Sequence, residues 1–62
     1  MTRIREQREA KKISQKELAE KMKVSPGAVS HWETGRRVPD ANDLIAIAKA
    51  LHCKVDDLIK ED

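Results

Sequence analysis

The stretch Ser14-Gln15-Lys16-Glu17-Leu18-Ala19-Glu20-Lys21-Met22-Lys23-Val24-Ser25-Pro26-Gly27-Ala28-Val29-Ser30-His31-Trp32-Glu33-Thr34-Gly35 decides the fold. Ser14 and Glu17 have capping-box spacing: the hydroxyl and the carboxylate can each satisfy an amide left unpaired at a helix start. Leu18, Ala19 and Met22 then form one apolar stripe of a second helix. Ser25-Pro26 starts a third, with serine as the N-cap and proline at the first helical position, where a missing N–H costs nothing. Gly35 ends that helix. The few residues between the two helices leave room only for a tight turn, so they must cross steeply. Leu18, Met22, Val24, Val29 and Trp32 have spacings that turn them inward between the pair. Ala19 is small where the helices come closest.

Outward from this pair, Thr2 is expected to cap a first helix running to about Lys11, with a thin apolar face of Ile4 and the stem of Arg8. Pro39 cannot continue a preceding helix, and Asp40 can cap a fourth. Ala41, Leu44, Ile45, Ile47, Ala48 and Leu51 recur at three- and four-residue intervals and make that helix the core element. A short fifth helix is expected from about Val55 to Lys60, with Asp56 and Asp57 in its first turn, where carboxylates suit the helix dipole. The expectation is one all-α domain over residues 1–62, a compact five-helix bundle.

Composition narrows the function. The 62 residues include 39% apolar ones, but alanines are frequent among them and Trp32 is the sole aromatic, so the core must be aliphatic and lean. A chain this short is too small for an enzyme of ordinary size. Cys53 is the only cysteine, which excludes an internal disulfide and suits a reducing compartment. It occupies an apolar slot before Val55 and reads as a buried small residue rather than a redox sensor. His52 and Cys53 are sequence neighbours with no second cysteine, so neither a structural zinc nor a Cys/His catalytic pair has its ligand set. No metal, no cofactor, no small-molecule effector site and no catalytic residue is expected. The longest apolar run, Leu44 to Ala48, is far too short to span a bilayer, and no secretory leader is evident, so a cytoplasmic protein is expected.

The net charge of +2 conceals a split. Residues 1–37 carry ten Lys/Arg against five Glu, and residues 38–62 carry three lysines against six acids. The first part therefore suits a polyanion, and the second a structural or partner-facing role.

From Ile4 to Leu58 the chain resembles the phage repressor and Cro type of helix-turn-helix regulator, the XRE family. Ser14 to Met22 is similar to that family's second helix, and Val29-Ser30-His31-Trp32-Glu33-Thr34-Gly35-Arg36-Arg37-Val38-Pro39 to its recognition helix and exit loop. The resemblance implies the lambda-repressor-like DNA-binding fold, with the helix-turn-helix at helices two and three. It implies a sequence-specific transcriptional regulator of the repressor kind, with helix three, about Pro26 to Thr34, in the major groove of double-stranded DNA. It also implies an internal ion pair between Arg8 and Glu33. Lys12, Lys23 and His52 stand where the family often has glycine at helix ends. Left-handed backbone there costs a residue with a Cβ roughly 1 kcal/mol. Two of the three are lysines, which either raise attraction to DNA or are neutral.

On that docking, the outward set of helix three is Pro26, Gly27, Ala28, Ser30, His31 and Thr34. Pro26, Gly27 and Ala28 cannot make bidentate base hydrogen bonds and instead permit close approach to thymine methyls. His31 is the leading base reader, because imidazole can both donate and accept when neutral and donates twice when protonated. Phosphate contacts are expected from Gln15, Ser25, Thr34, Arg36 and Arg37, which set register without reading sequence. Trp32 is expected in the core, not against a base. A homodimer would draw on Leu58, Ile59 or Ile45. With no room for a sensor domain in 62 residues, regulation is expected through concentration, a partner protein or proteolysis. The competing reading is a protein-interaction module, such as an antitoxin-like or anti-repressor partner.

Overall fold

A computed structural model describes residues 2–59 of the chain. They form four α-helices and one short 3-10 turn: α1 Ile4–Ala10, α2 Gln15–Met22, α3 Pro26–Thr34, α4 Ala41–Leu51 and a turn at Val55–Leu58. The expected fifth helix is thus a single 3-10 turn, and Lys60, its expected end, lies outside the described residues. In a 3-10 turn residues three apart share a face, which carries Val55 and Leu58 together onto the core.

Local sequence sets most of the boundaries. The Ser14 Oγ accepts from the Glu17 amide at 3.0 Å, and the Ser14 amide donates to the Glu17 carboxylate at 3.3 Å, completing the box at α2. The Ala28 amide donates to the Ser25 Oγ at 3.2 Å above Pro26. Asp40 caps α4 by accepting from the Asp43 amide at 2.7 Å. Asp43 returns the bond, accepting from the Asp40 amide at 3.2 Å. At the other ends, Lys12, Lys23 and His52 all adopt left-handed backbone, with φ of 58°, 59° and 55°. These are the three positions singled out for missing glycines. Gly35, at φ 84°, supplies the same conformation without strain after α3.

The start of α1 departs from expectation. Arg3, not Thr2, is its N-cap, and no side chain caps it. Thr2 instead pairs in an antiparallel bridge with Ile59, and the Arg3 amide donates to the Leu58 carbonyl at 2.8 Å. The two ends of the described segment are therefore tied together, and the Arg3 amide, which has no partner within α1, finds a backbone acceptor.

The core comprises Ile4, Leu18, Ala19, Val29, Trp32, Ile47, Ala48, Leu51 and Leu58, with Ile13, Met22, Leu44, Ala50, Cys53 and Val55 packed around it. Trp32 lies inside, as its place in the helical period requires, and its indole N–H finds no hydrogen-bond partner among the described residues. Four inward assignments need correction, one of them Ile45, which stands 47% exposed in the middle of α4 at the edge of its apolar stripe. Val24 sits in the turn after the left-handed Lys23, outside either helical period, and is exposed. Ala41 is exposed at the first turn of α4. Cys53 is half-buried, and this partial burial, reinforced by the nearby Asp57 carboxylate, pushes its thiol above the ordinary value.

Candidate nucleic-acid interface

The α2–turn–α3 unit is built so that α3 presents its first turns and buries its rear. Only Lys23, Val24 and Ser25 separate the helices. Val29 and Trp32 face the core, while Pro26 and Gly27 are exposed and Ala28, Ser30 and His31 are half-buried. Gly27 has an ordinary helical backbone, and a Cβ added there would meet nothing closer than the Ser25 Oγ at 3.8 Å. Packing within the fold therefore does not require glycine at 27. Ser25, Thr34, Arg36 and Arg37 are all exposed around α3. The Arg37 amide donates to the His31 carbonyl at 3.1 Å, folding the exit loop back on the end of α3. Two of the expected phosphate ligands have internal engagements. The Thr34 hydroxyl donates to the Ser30 carbonyl at 3.0 Å, and the half-buried Gln15 donates through Nε2 to Glu33 Oε1 at 3.0 Å.

Glu33 is the polar centre of this unit. Its side chain is fully buried, and Arg8, 12% exposed, meets it through Nε at 2.8 Å and Nη2 at 3.2 Å. The implied Arg8–Glu33 pair is present. Two further partners were not expected: Arg5 Nε, 3.2 Å from Oε1, and Gln15 Nε2. The sequence did hold a signal for Arg5, since residues three apart on a helix share a face. Arg8 also donates through Nη1 to the Ile13 carbonyl at 2.8 Å, bracing the loop before α2. One carboxylate thus fixes α1, the start of α2 and the end of α3. Burial alone would raise the Glu33 carboxyl, but the hydrogen bonds from Arg8, Gln15 and Arg5 together hold it below the usual carboxylate value. The same hydrogen bond to Glu33, opposed by burial, leaves the Arg8 guanidinium above its ordinary value.

Of the residues named for a dimer surface, Leu58 is fully buried and is withdrawn from it, since the bridge to the chain start folds it into the core. Ile45 and Ile59 remain 47% and 45% exposed. No described helix is long and apolar enough to cross a membrane.

Two short helices joined by a three-residue turn, the second exposed at its start and anchored at its end, define a helix-turn-helix unit. Residues 4–58 match the family model described as Helix-turn-helix, and the chain belongs to that family. It is 42% identical over 60 residues to repressor protein C2 of Salmonella phage P22, covering 97% of this chain and 28% of that protein. It is 41% identical over 51 residues to the HTH-type transcriptional regulator DicA of Escherichia coli (strain K12), covering 82% of this chain and 38% of that protein. Among solved structures it is similar to the DNA-binding domain of the P22 C2 repressor in solution, with TM-score 0.83 and 37% identity over 97% of this chain and 86% of that one. The clp gene regulator ClgR from C. glutamicum gives TM-score 0.84 and 37% identity over 87% and 70%. The chain therefore spans well under half the length of these two relatives, C2 and DicA.

Proposed function

We propose that this chain is a sequence-specific DNA-binding unit of a transcriptional regulator, with α3 entering the major groove and repression as its mode of action. The observation that carries the reading is the exposed start of α3, small and open at Pro26 and Gly27 and flanked by exposed Arg36 and Arg37. Small side chains let the helix backbone approach base edges and thymine methyls, and His31 is the group that reads bases by hydrogen bonding. Ser25, Thr34, Arg36 and Arg37 hold phosphates, with Gln15 doing so from its place beside Glu33. The role is binding without catalysis, in the cytoplasm. Residues 1–62 act as one domain, whose second copy would meet the first through Ile45 or Ile59 to span paired half-sites.

The test is selection of bound sequences from a random duplex pool, followed by affinity measurement on the selected sequence. A shared motif is expected, with His31→Ala relaxing preference at one base position and Arg37→Ala weakening binding on all sequences alike. Gly27→Ala is expected to stabilise the protein by roughly 0.5–1 kcal/mol, because glycine in a helix carries extra backbone entropy when unfolded. It should nonetheless weaken binding to the selected DNA. Enrichment of no motif would overturn sequence-specific recognition.

A further inference from the structure

The two arginines on Glu33 are not equivalent. Arg8 is 12% exposed and spends Nε, Nη1 and Nη2 on partners inside the fold. Arg5 is 57% exposed and contributes only Nε, leaving Nη1 and Nη2 without a hydrogen bond to any described residue. Both guanidiniums share the Glu33 carboxylate, and Arg8 holds it through two nitrogens against one from Arg5. Moreover, Glu33 Oε1 already receives Arg8 Nη2 and Gln15 Nε2, which fills the two lone pairs of that oxygen. Arg5 is thus the third donor on it and the least committed of the three. The position matters too. Arg5 Nε and Gln15 Nε2 lie within 3.2 Å of the same oxygen, so the free end of Arg5 stands beside the start of α2. There the amides of Gln15 and Lys16 precede the one already capped by Ser14.

We propose that Arg5 is a phosphate ligand for DNA: Glu33 orients its guanidinium through Nε, and the free Nη1 and Nη2 donate to a backbone phosphate at the start of α2. A planar guanidinium anchored by one edge and open along the other matches the paired oxygens of a phosphate. Arg8 has the same chemistry but is a positioning residue, held wholly within the fold. The inference rests on the DNA-binding reading above.

It is tested by the salt dependence of binding of the 62-residue chain to a mixed-sequence duplex, for the wild type, Arg5→Gln and Arg5→Lys. Losing one phosphate contact should make the slope of log K against log salt shallower by about 0.9 for Arg5→Gln, while Arg5→Lys retains the wild-type slope. The wild type also gives a measurement that needs no variant: the NMR signal of the Arg5 Nε–H should shift on saturation with duplex. A wild type that binds with an unmoved Arg5 signal, or an Arg5→Gln slope equal to the wild type's, overturns the role of Arg5 alone. A wild type that binds no duplex overturns the DNA reading and this inference with it.

Discussion

Helix α1 is held to the bundle at two places by different physics. At one, Ile4 is fully buried in an aliphatic core with Leu18, Val29, Ile47, Leu51 and Leu58. At the other, Arg5 and Arg8 converge on the buried Glu33 carboxylate with Gln15. Apolar burial is strong and non-directional: it holds the helices together but tolerates modest sliding and volume-conserving exchange. The carboxylate cluster contributes less net energy, since desolvation offsets much of the attraction, but its hydrogen bonds have fixed distances and angles. The difference teaches a division of labour. The core supplies stability, and the cluster fixes where the end of α3 stands relative to α1 and α2, and so how its exposed start is aimed.

The largest effect that would sharpen this contrast is expected in the core. Ile47→Ala should cost about 2–5 kcal/mol, the range for emptying a fully buried aliphatic site. In so small a domain that is much of the total stability, and a denaturant titration measures it. A loss below about 1 kcal/mol would mean that the core is not the main source of stability.

Next comes the cluster. Glu33→Ala should cost roughly 1–3 kcal/mol, because it strands the partly buried Arg8 guanidinium. Arg5 can turn to water, being 57% exposed. The double change Arg8→Met with Glu33→Met should cost less than Glu33→Ala alone, since no charge is then left without its partner. Equal losses in thermal melts would show that the pair contributes net energy as well as position, and the contrast with the core would weaken.

Acid should single out the same carboxylate. Glu33 is held below its unfolded value, so its contribution is fully present above the ordinary carboxylate pKa of about 4.3 and is lost as pH falls through the lower folded value. Urea midpoints measured from neutral pH down to strong acid should therefore fall more for the wild type than for Glu33→Gln. Parallel curves would break the assignment.

The smallest effect belongs to neither region but to the helix ends that join them. Lys23→Gly should stabilise by roughly 1 kcal/mol, because the left-handed φ of 59° strains a residue with a Cβ. For a domain of this size that corresponds to a rise of about 4–8 °C in Tm. No rise would place the cost of the turn elsewhere, the exposed Val24 being the next position to vary.

Much of the fold was legible because its signals are local. The box at Ser14, the cap at Asp40, the Ser25-Pro26 start and the Gly35 stop each depend on neighbours within about one helical turn, whereas the left-handed Lys12, Lys23 and His52 were legible only through the family resemblance. The two faces of α3 were legible for a related reason, since helical period separates the buried Val29 and Trp32 from the exposed Pro26 and Gly27. Where periodicity misled at Val24 and Ala41, the residue lay at an element boundary, where position in the period no longer fixes direction; Ile45, 47% exposed in the middle of α4, lies instead at the edge of a stripe wider than the bundle covers.

By itself, then, the sequence determined the four α-helices, the capping residues of α2, α3 and α4 and most of each buried stripe, because such choices follow from backbone sterics and nearby side chains. Tertiary structure alone decided that Arg5 and Gln15 join Arg8 on Glu33, across sequence separations of 28 and 18 residues. It also decided that Leu58 enters the core, and that Thr2 pairs with Ile59 instead of capping α1. The reason is physical. A carboxylate with several donors within reach, or a chain end with more than one way to satisfy its amides, has no local preference strong enough to choose. Only packing, which sets the helix crossings first, brings one set of partners within hydrogen-bond distance.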